Sequence, residues 1–191
     1  VEMMEALIGR TISEATLLNY VMRLHVALEG WEKRTMVQLL TSFYMHTDET
    51  SMRVNKQNHW IHVYSSGELT LKMLHLKRGK EAMDDIGIIP HYGGVIIHDC
   101  WASYLSYDHL NHGLCGSHLL RELTFIIDSN RYRWARKMKR LLKRACKIVS
   151  TRKEKCLTEK EFLKLQLIYT DILTAGEKEM PEIPRKTDKR R

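Results

Sequence analysis

The chain has 191 residues, of which 43% are hydrophobic and 28% charged, which excludes wholesale disorder and allows one well-cored domain with an extension. No apolar run approaches the roughly 20 residues that span a bilayer, and residues 1–10 lack a signal-peptide pattern, so we expect no membrane partner. Four cysteines are too few and too unevenly spaced for a disulfide framework, which favours a reducing compartment, and the first residue, Val1, suggests a piece of a longer protein.

Residues 11–40 have the periodicity of a helix. Thr11 and Glu14 form a Thr-x-x-Glu capping box. We expect Gly30 to break the run into a long helix and a shorter one that ends near Leu40. The apolar residues recur at helical spacing, which predicts that they pack in a core: Leu17, Tyr20, Val21, Leu24, Leu28 and Trp31.

The period then changes to two, which predicts strands over residues 42–55, 59–64 and 69–76. Short turn-like links join these runs into an antiparallel meander. A short helix over residues 80–86 and a buried strand over residues 95–99 follow. Because that helix is a crossover, the fourth strand is expected to lie parallel to the first.

The rest of the chain is predicted to be helical over residues 118–128, 131–149 and 159–173, the last helix being capped by Thr158 and Glu161. Residues 176–191 are predicted to form a loose tail. The fold class is therefore α/β, a mixed sheet with an N-terminal helical segment and a C-terminal helical insertion. The predicted domains are a helical segment (1–40), a core (41–130), a basic insertion (131–175) and a tail (176–191).

Positive charge is concentrated in one stretch. Lysine and arginine number 31 against 23 acidic residues, a net charge of +8. Twelve basic residues and a single acidic one, Glu154, lie between Arg131 and Cys156. Such a stretch suits a polyanion such as a phosphate backbone, and a solvated helix face is the alternative.

Two aspartates stand at the same predicted edge of the sheet. Asp48 lies in or just beyond the first strand, and Asp99 ends the fourth, at the carboxyl edge where open α/β sheets build their sites. Two ionised carboxylates at close range repel unless a cation lies between them. The pair therefore predicts Mg²⁺ or Mn²⁺, and two aspartates that simply end strands are the alternative.

Six strings of the sequence resemble the catalytic core of insertion sequence 66 family transposases, in order and at family-like spacing: HTDET (46–50), RVN (53–55), WIHV (60–63), KRGKEA (77–82), HDCWASY (98–104) and LCGSHLLREL (114–123). Ser51 and Lys56 depart from the family, which often has glycine at both positions. The resemblance implies a DDE transposase with a ribonuclease H-like fold. In this family three acidic residues hold two Mg²⁺ ions, water cleaves a phosphodiester at the transposon end, and the freed 3′-hydroxyl attacks target DNA.

By matching motif, Asp48 and Asp99 are the first two acids. The third is the Glu of an Asn-Asn-x-Ala-Glu-Arg motif, which does not occur in this sequence, so we expect the chain to stop before the final acid and to be inactive as an isolated fragment. Glu122 is the candidate stand-in, and an ordinary charged helix residue is the alternative.

The resemblance also implies partners: double-stranded DNA at transposon ends and target, and further copies of the chain in a synaptic complex, in a bacterial cytoplasm at the nucleoid. Within the basic insertion, six residues are expected to meet phosphates: Arg133, Arg136, Lys137, Arg140, Lys143 and Arg144. Lys77 and Arg78, near the end of the third strand, are further candidates for DNA contact, with solvent exposure as the alternative.

Cys115 and His118 form a Cys-x-x-His pair, half of a zinc site by spacing. No second ligand pair is evident, so a structural role, or support of the carboxylates from outside the metal site, is expected. Three functions therefore stand side by side: a transposase core, a remnant that binds DNA without phosphoryl transfer, and a zinc-dependent nucleic-acid-binding module.

Overall fold

The computed structural model describes residues 2–180, which divide into two compact units at Gly113 and Leu114. The first unit contains these elements: α1 (Glu2–Ile8), α2 (Glu14–Leu40), β1 (Tyr44–Val54), β2 (Gln57–Ser66), β3 (Leu69–His75), α3 (Lys80–Ile86), α4 (Ile88–His91), β4 (Val95–His98), α5 (Ala102–Leu105) and β5 (Asn111–Leu114), whose last residue is the first of the second unit. The second contains α6 (Gly116–Asn130), α7 (Arg133–Ser150) and α8 (Glu159–Glu179). None of these helices is both long enough and apolar enough to cross a membrane.

The strands form one mixed sheet in the order β3-β2-β1-β4-β5. β1, β2 and β3 pair antiparallel, and β4 pairs parallel with β1 after the α3–α4 crossover. The meander, the crossover and the parallel fourth strand of the predicted ribonuclease H-like sheet are confirmed. The α4, α5 and β5 segments, of four residues each, were not predicted, and neither was α1.

The core of the first unit lies between the sheet and its helices. Leu39 from α2, Met45 from β1 and Ile96 from β4 are fully buried, together with Ile88 and Ile89 from the crossover. Three helices build the separate core of the second unit, where Met138 and Leu141 of α7 pack with Leu123 of α6 and Ile172 of α8. The predicted domain boundaries at residues 40, 130 and 175 stay a prediction.

Two predictions about α2 are wrong. The helix runs unbroken from Glu14 to Leu40, because one glycine costs about 1 kcal/mol relative to alanine and good helix formers flank Gly30. Its cap is Ser13, whose hydroxyl accepts from the Thr16 N–H at 3.1 Å, and not Thr11.

The predicted core stripe of α2 does not pack in a core. Leu24 is 58% exposed and Val21 61%, and only Thr35 and Leu39, near the end of the helix, are buried. Helical spacing reports that a face is apolar, and it carries no information on what covers that face.

At the other end of the chain, α8 continues to Glu179, so residues 176–179 belong to a helix and not to a loose tail. Gly176 is buried against the Trp134 ring of α7, and this packing extends the helix beyond its predicted end. Residues 181–191 of the predicted tail lie outside the described residues. The capping box of Thr158 and Glu161 at the start of α8 is confirmed.

Candidate active site

Asp48 lies within β1, and Asp99 is the first residue after β4, the parallel neighbour of β1. His46 of β1 is paired with Ile97 of β4. The pairing ends there, and its register extended by two residues would bring Asp48 of β1 opposite Asp99, the residue after β4. At the usual spacing of about 4.8 Å between neighbouring strands, this register would bring both carboxylates within reach of a single cation.

The two aspartates lie on the more accessible face of the sheet. Thr47 is buried and Asp48 is exposed. After β4 the same alternation holds, since His98 is fully buried and Asp99 is half-buried. Residues side by side in a parallel pair share a face, so both carboxylates can meet a substrate on the solvent side.

Backbone N–H groups orient each carboxylate. Oδ1 of Asp48 accepts from the Glu49 N–H at 2.9 Å. Oδ1 of Asp99 accepts from the Trp101 N–H at 3.1 Å, the geometry of an Asx-turn. The second of these bonds ties the Asp99 carboxylate to the segment that leads into α5.

His98 anchors the end of β4 from the buried side. Its Nδ1 bonds the backbone oxygen of Asp99, and its Nε2 lies 3.0 Å from Nδ1 of His112 on β5. His112 in turn contacts the carbonyl of Tyr107 at 3.2 Å. Burial lowers the pKa of His98, which favours a neutral ring in this network.

Directly after Asp48 stands a buried carboxylate. The Glu49 side chain is 1% exposed, and its Oε1 accepts from Nε and Nη2 of Arg78 at 2.8 and 2.6 Å. Its Oε2 accepts from the Tyr104 hydroxyl at 2.6 Å. Burial, together with the Glu49 carboxylate, raises the pKa of Tyr104 well above its usual value, so the phenol stays protonated and donates.

Arg78 was predicted to contact DNA with Lys77. In the structure its guanidinium lies 4.2 Å from the centre of the Trp101 ring and 5.0 Å from that of Trp60, besides its bonds to Glu49. Lys77 is exposed and pairs with Glu81. Both residues therefore have an acidic partner, which is exposed for Lys77 and buried for Arg78.

The remaining site candidates lie in the second unit. Glu122 is an exposed residue of α6 and lines an apolar cavity of about 210 Å³ among α6, α7 and α8. Its role as third acid stays a prediction. Within residues 2–180, no group of three or more His, Cys, Asp or Glu side chains could hold a metal ion.

Cys115 and His118 lie at the start of α6, with Cys115 as the N-cap residue. Burial by itself raises the pKa of the Cys115 thiol, but hydrogen bonds from His118 and from the backbone of Ser117 and His118 outweigh it and lower that pKa. The pair is thus linked locally at a helix N-terminus, and its role at an active site stays a prediction.

Six basic residues of α7 form one solvent-facing stripe. Ala135, Met138 and Leu141 are buried on one side of the helix. On the other side, the six predicted DNA contacts are all exposed, at helical spacing, and none is in an ion pair with a carboxylate of the described chain: Arg133, Arg136, Lys137, Arg140, Lys143 and Arg144. We call these six residues the basic stripe.

The basic stripe covers the first 12 of the 18 residues of α7, about 18 Å along the helix axis. Three of its members, Lys137, Arg140 and Arg144, border a groove of about 410 Å³ between α7 and α8, which also contains Asp171. Lys139 is set apart from the stripe, because it is half-buried and donates to the Thr124 hydroxyl at 2.7 Å.

Sequence reasoning missed the partners of Glu49. The alternation of β1 places Glu49 in phase with Met45 and Thr47, on the buried face. A buried charge requires a partner, so the position of Glu49 on the buried face could have indicated that a partner exists. It does not identify Arg78, which lies 29 positions further along the chain.

The similarity of the chain to individual known proteins is low. No curated protein matches the chain significantly. Among solved structures, the integrase catalytic core domain of HTLV-2 in complex with magnesium, in its trimeric form, is 14% identical with a TM-score of 0.31, and the match covers 47% of this chain and 74% of that one. An intasome of simian T-cell lymphotropic virus in complex with a PP2A regulatory subunit, B56 gamma, is 11% identical with a TM-score of 0.32, and the match covers 49% of this chain and 44% of that one.

The family comparison is far broader. The family model described as "Transposase IS66 family" matches residues 1–189, nearly the whole sequence and both compact units. The match extends from α1 across the two aspartates and the basic stripe. The chain therefore belongs to the IS66 family of transposases.

Proposed function

We propose that this chain is a DNA transposase core in which Asp48 and Asp99 hold Mg²⁺ or Mn²⁺ for phosphodiester hydrolysis and strand transfer at transposon ends. The observation that carries the proposal is the parallel pairing of β1 with β4, whose register leads to the two aspartates on one accessible face. Family membership supports the same reaction.

The residues present fit a hard divalent cation. Mg²⁺ is usually held in proteins by one or two carboxylates together with water and phosphate oxygens. When bound, such an ion would polarise a phosphoryl oxygen and lower the pKa of water. Asp48 and Asp99 would supply the oxygen ligands, and the Glu49 and Trp101 N–H groups would hold these carboxylates in place.

The basic stripe would bind the DNA backbone. Its side chains are exposed, and none is in an ion pair with a carboxylate of the described residues, so they can neutralise phosphates without reading bases. Lys77 is a further candidate contact. Arg78 is left out of this set, because its partner Glu49 is buried, whereas the pair of Lys77 with Glu81 is exposed and therefore weak.

Mn²⁺ titration by calorimetry tests the metal site. We expect wild-type protein to bind Mn²⁺ and Asp99→Asn and Asp48→Asn to lose that binding. Asp108→Asn is the matched control, since it removes an exposed carboxylate of the same unit and should bind as wild type does. Equal binding by wild type and Asp99→Asn would contradict the proposed site.

A second candidate is a DNA-binding module without phosphoryl transfer. It is favoured by the missing Asn-Asn-x-Ala-Glu-Arg motif and by the lack of a three-acid cluster in residues 2–180. A nicking assay on transposon-end duplex with Mn²⁺ separates the two candidates. Nicking that disappears in Asp48→Asn supports the enzyme, while salt-sensitive binding without nicking supports the module.

Family membership also supports the proposal that copies of the chain associate in a synaptic complex. The exposed apolar face of α2 offers a surface for that association, because contiguous apolar patches on soluble proteins mark interaction sites. The exposed members of this face are Tyr20, Val21, Leu24, Leu28 and Trp31.

A further inference from the structure

One set of contacts connects the two proposed metal ligands through the protein. Asp48 is followed in β1 by Glu49, whose buried carboxylate is bound by Arg78 through two N–H groups. The Arg78 guanidinium packs on the Trp101 ring. The backbone N–H of Trp101 donates to the Asp99 carboxylate. The path runs from one aspartate to the other without leaving the first unit.

The geometry of Arg78 suits a rigid link. A guanidinium is planar, and it can bond a carboxylate with two N–H groups while its faces contact aromatic rings. Both kinds of contact are present here, with Glu49 at the edge and the Trp60 and Trp101 rings within 5.0 Å. Lysine would keep the charge and lose both the two-pronged bond and the flat surface.

The buried Glu49 carboxylate depends on Arg78 as its charged partner. Its carboxylate is nearly inaccessible to water, and after loss of the guanidinium the Tyr104 hydroxyl is the one side-chain partner that residues 2–180 would still offer it. An unpaired buried carboxylate must reach water or take up a proton. Either change would act on β1 one residue from Asp48.

We propose that Arg78, through its pair with Glu49 and its stacking on Trp101, is a positioning residue that sets the spacing of the Asp48 and Asp99 carboxylates for metal binding. This inference rests on the proposed function, because it assumes that the two aspartates bind a cation. It assigns Arg78 to the support of the metal site and not to the DNA surface.

The test compares Mn²⁺ affinity by calorimetry for wild type, Arg78→Met and Arg78→Lys, each at a temperature where circular dichroism shows it folded. Loss of a group that supports metal ligands typically weakens metal binding about 10- to 100-fold. We expect a loss in that range for Arg78→Met and a smaller one for Arg78→Lys. Melting temperatures measured in parallel report the purely structural effect.

Arg152→Met is the matched control. Arg152 also binds a glutamate, Glu161, through two N–H groups at 2.7 and 2.6 Å, but it lies in the second unit. Its loss should lower the melting temperature and leave Mn²⁺ affinity within about twofold of wild type. If Arg78→Met does not fold, Glu49→Gln tests the same link, with an expected affinity loss of about tenfold.

Each outcome has one meaning. Wild-type Mn²⁺ affinity in folded Arg78→Met, or in Glu49→Gln where that variant replaces it, would overturn the positioning role and leave the proposed function intact. Absence of Mn²⁺ binding by wild type would contradict the proposed function itself. Unchanged Mn²⁺ affinity with weaker binding to duplex DNA would return Arg78 to the DNA surface and overturn the inference.

Discussion

Gly94 stands where β1 and β4 begin to pair. A Cβ at this position would collide with the Tyr92 hydroxyl and lie 2.7 Å from the carbonyl oxygen of Phe43. That hydroxyl donates to the Ser42 carbonyl at 2.9 Å, and the Phe43 carbonyl accepts from the Val95 N–H at 3.1 Å. The glycine therefore permits the close approach on which the parallel register depends.

We expect Gly94→Ala to lower the free energy of unfolding by about 2 kcal/mol, the usual cost of overpacking a tight site. Urea denaturation measures it. Gly93→Ala is the control, because a Cβ added there would meet no atom within 4 Å and the backbone at this position needs no glycine. Equal stability of the two variants would show that the close approach at Gly94 is unimportant.

Lys56 occupies a left-handed turn between β1 and β2. Asn55 and Lys56 have φ values of 50° and 66°, the pattern of a two-residue hairpin loop that favours Asn-Gly. A side chain in this region costs about 1–2 kcal/mol. Lys56→Gly is therefore expected to raise the free energy of unfolding by about 1 kcal/mol, after the larger entropy of glycine in the unfolded chain is subtracted.

Urea denaturation again measures the change at Lys56. Asn58→Gly serves for comparison, since Asn58 lies in β2 without a positive φ, and glycine there should be destabilising. A lower stability of Lys56→Gly than of wild type would mean that the lysine side chain stabilises the folded state by more than the left-handed backbone conformation costs.

Among single residues, the sequence predicts those whose role follows from position along a strand. Asp48 and Asp99 are candidates from the sequence because open α/β sheets build their sites near the carboxyl ends of strands, although β1 continues to Val54, beyond Asp48. The role of Glu49 cannot be identified in this way, since it depends on hydrogen bonds from Arg78 and Tyr104, which are distant in the sequence. Contacts of that kind are set by the fold and leave no local pattern.

At the scale of elements, the start of α8 depends on an ionised carboxylate. Hydrogen bonds from Arg152 and Thr158 lower the pKa of Glu161 from 4.5 to about 2. A carboxylate whose pKa is lower in the folded state stabilises that state fully above pH 4.5 and loses this effect as the pH falls towards 2. Glu179, whose pKa is also lowered by backbone N–H groups, acts in the same direction.

We therefore expect the helical second unit to lose stability between about pH 4.5 and 2, and Glu161→Gln to be less stable at pH 7 but less sensitive to acid. Thermal melting followed by circular dichroism at several pH values measures both effects. Glu159→Gln, in the same turn of α8, should keep the wild-type acid sensitivity. Identical acid profiles for wild type and Glu161→Gln would contradict this role of the cap.

Elements differed in how well the sequence predicted them. Periodicity located α7, α8 and the strands of the meander to within a few residues, apart from the C-terminal extension of α8. The segments α4, α5 and β5 have four residues each, too few for a period to be recognised. The exposure of α2 was missed for a different reason, because burial depends on what packs against a face.

For the whole molecule, DNA affinity should depend steeply on salt. If the six residues of the basic stripe each neutralise a phosphate, the slope of log K against log salt is about −5. Arg140→Ala with Arg144→Ala should reduce the magnitude of that slope by about 2. Fluorescence anisotropy on labelled duplex at about 50 to 200 mM salt measures it.

Lys72→Ala with Lys160→Ala is the control for charge alone. It removes two exposed lysines, one on β3 and one on α8, outside the basic stripe. The control pair should keep the wild-type slope. An equal reduction in slope for both pairs would show that net charge, and not the stripe, governs DNA binding.

Association of the whole chain should depend on α2. Sedimentation velocity is expected to show a dimer or larger species for wild type, and monomer for Val21→Glu with Leu24→Glu, because two charges then interrupt the exposed apolar face. Asn19→Glu, which adds a charge to the same helix without removing an apolar side chain, should associate as wild type does. A wild-type protein that is monomeric at all concentrations would contradict the proposed role of α2.

During synthesis, one contact of the second unit can form only after nearly all of that unit has been made. The first backbone N–H groups of α7, at Arg133 and Trp134, donate to the carboxylate of Glu179 at 2.8 and 2.9 Å, across 46 and 45 positions of sequence. At about 5–20 residues per second, a ribosome takes roughly 2–9 s to make that stretch. Until then the start of α7 has no cap from Glu179, and a chain cut after Gly176 would lack this cap while keeping the core residues of the bundle as far as Ile172.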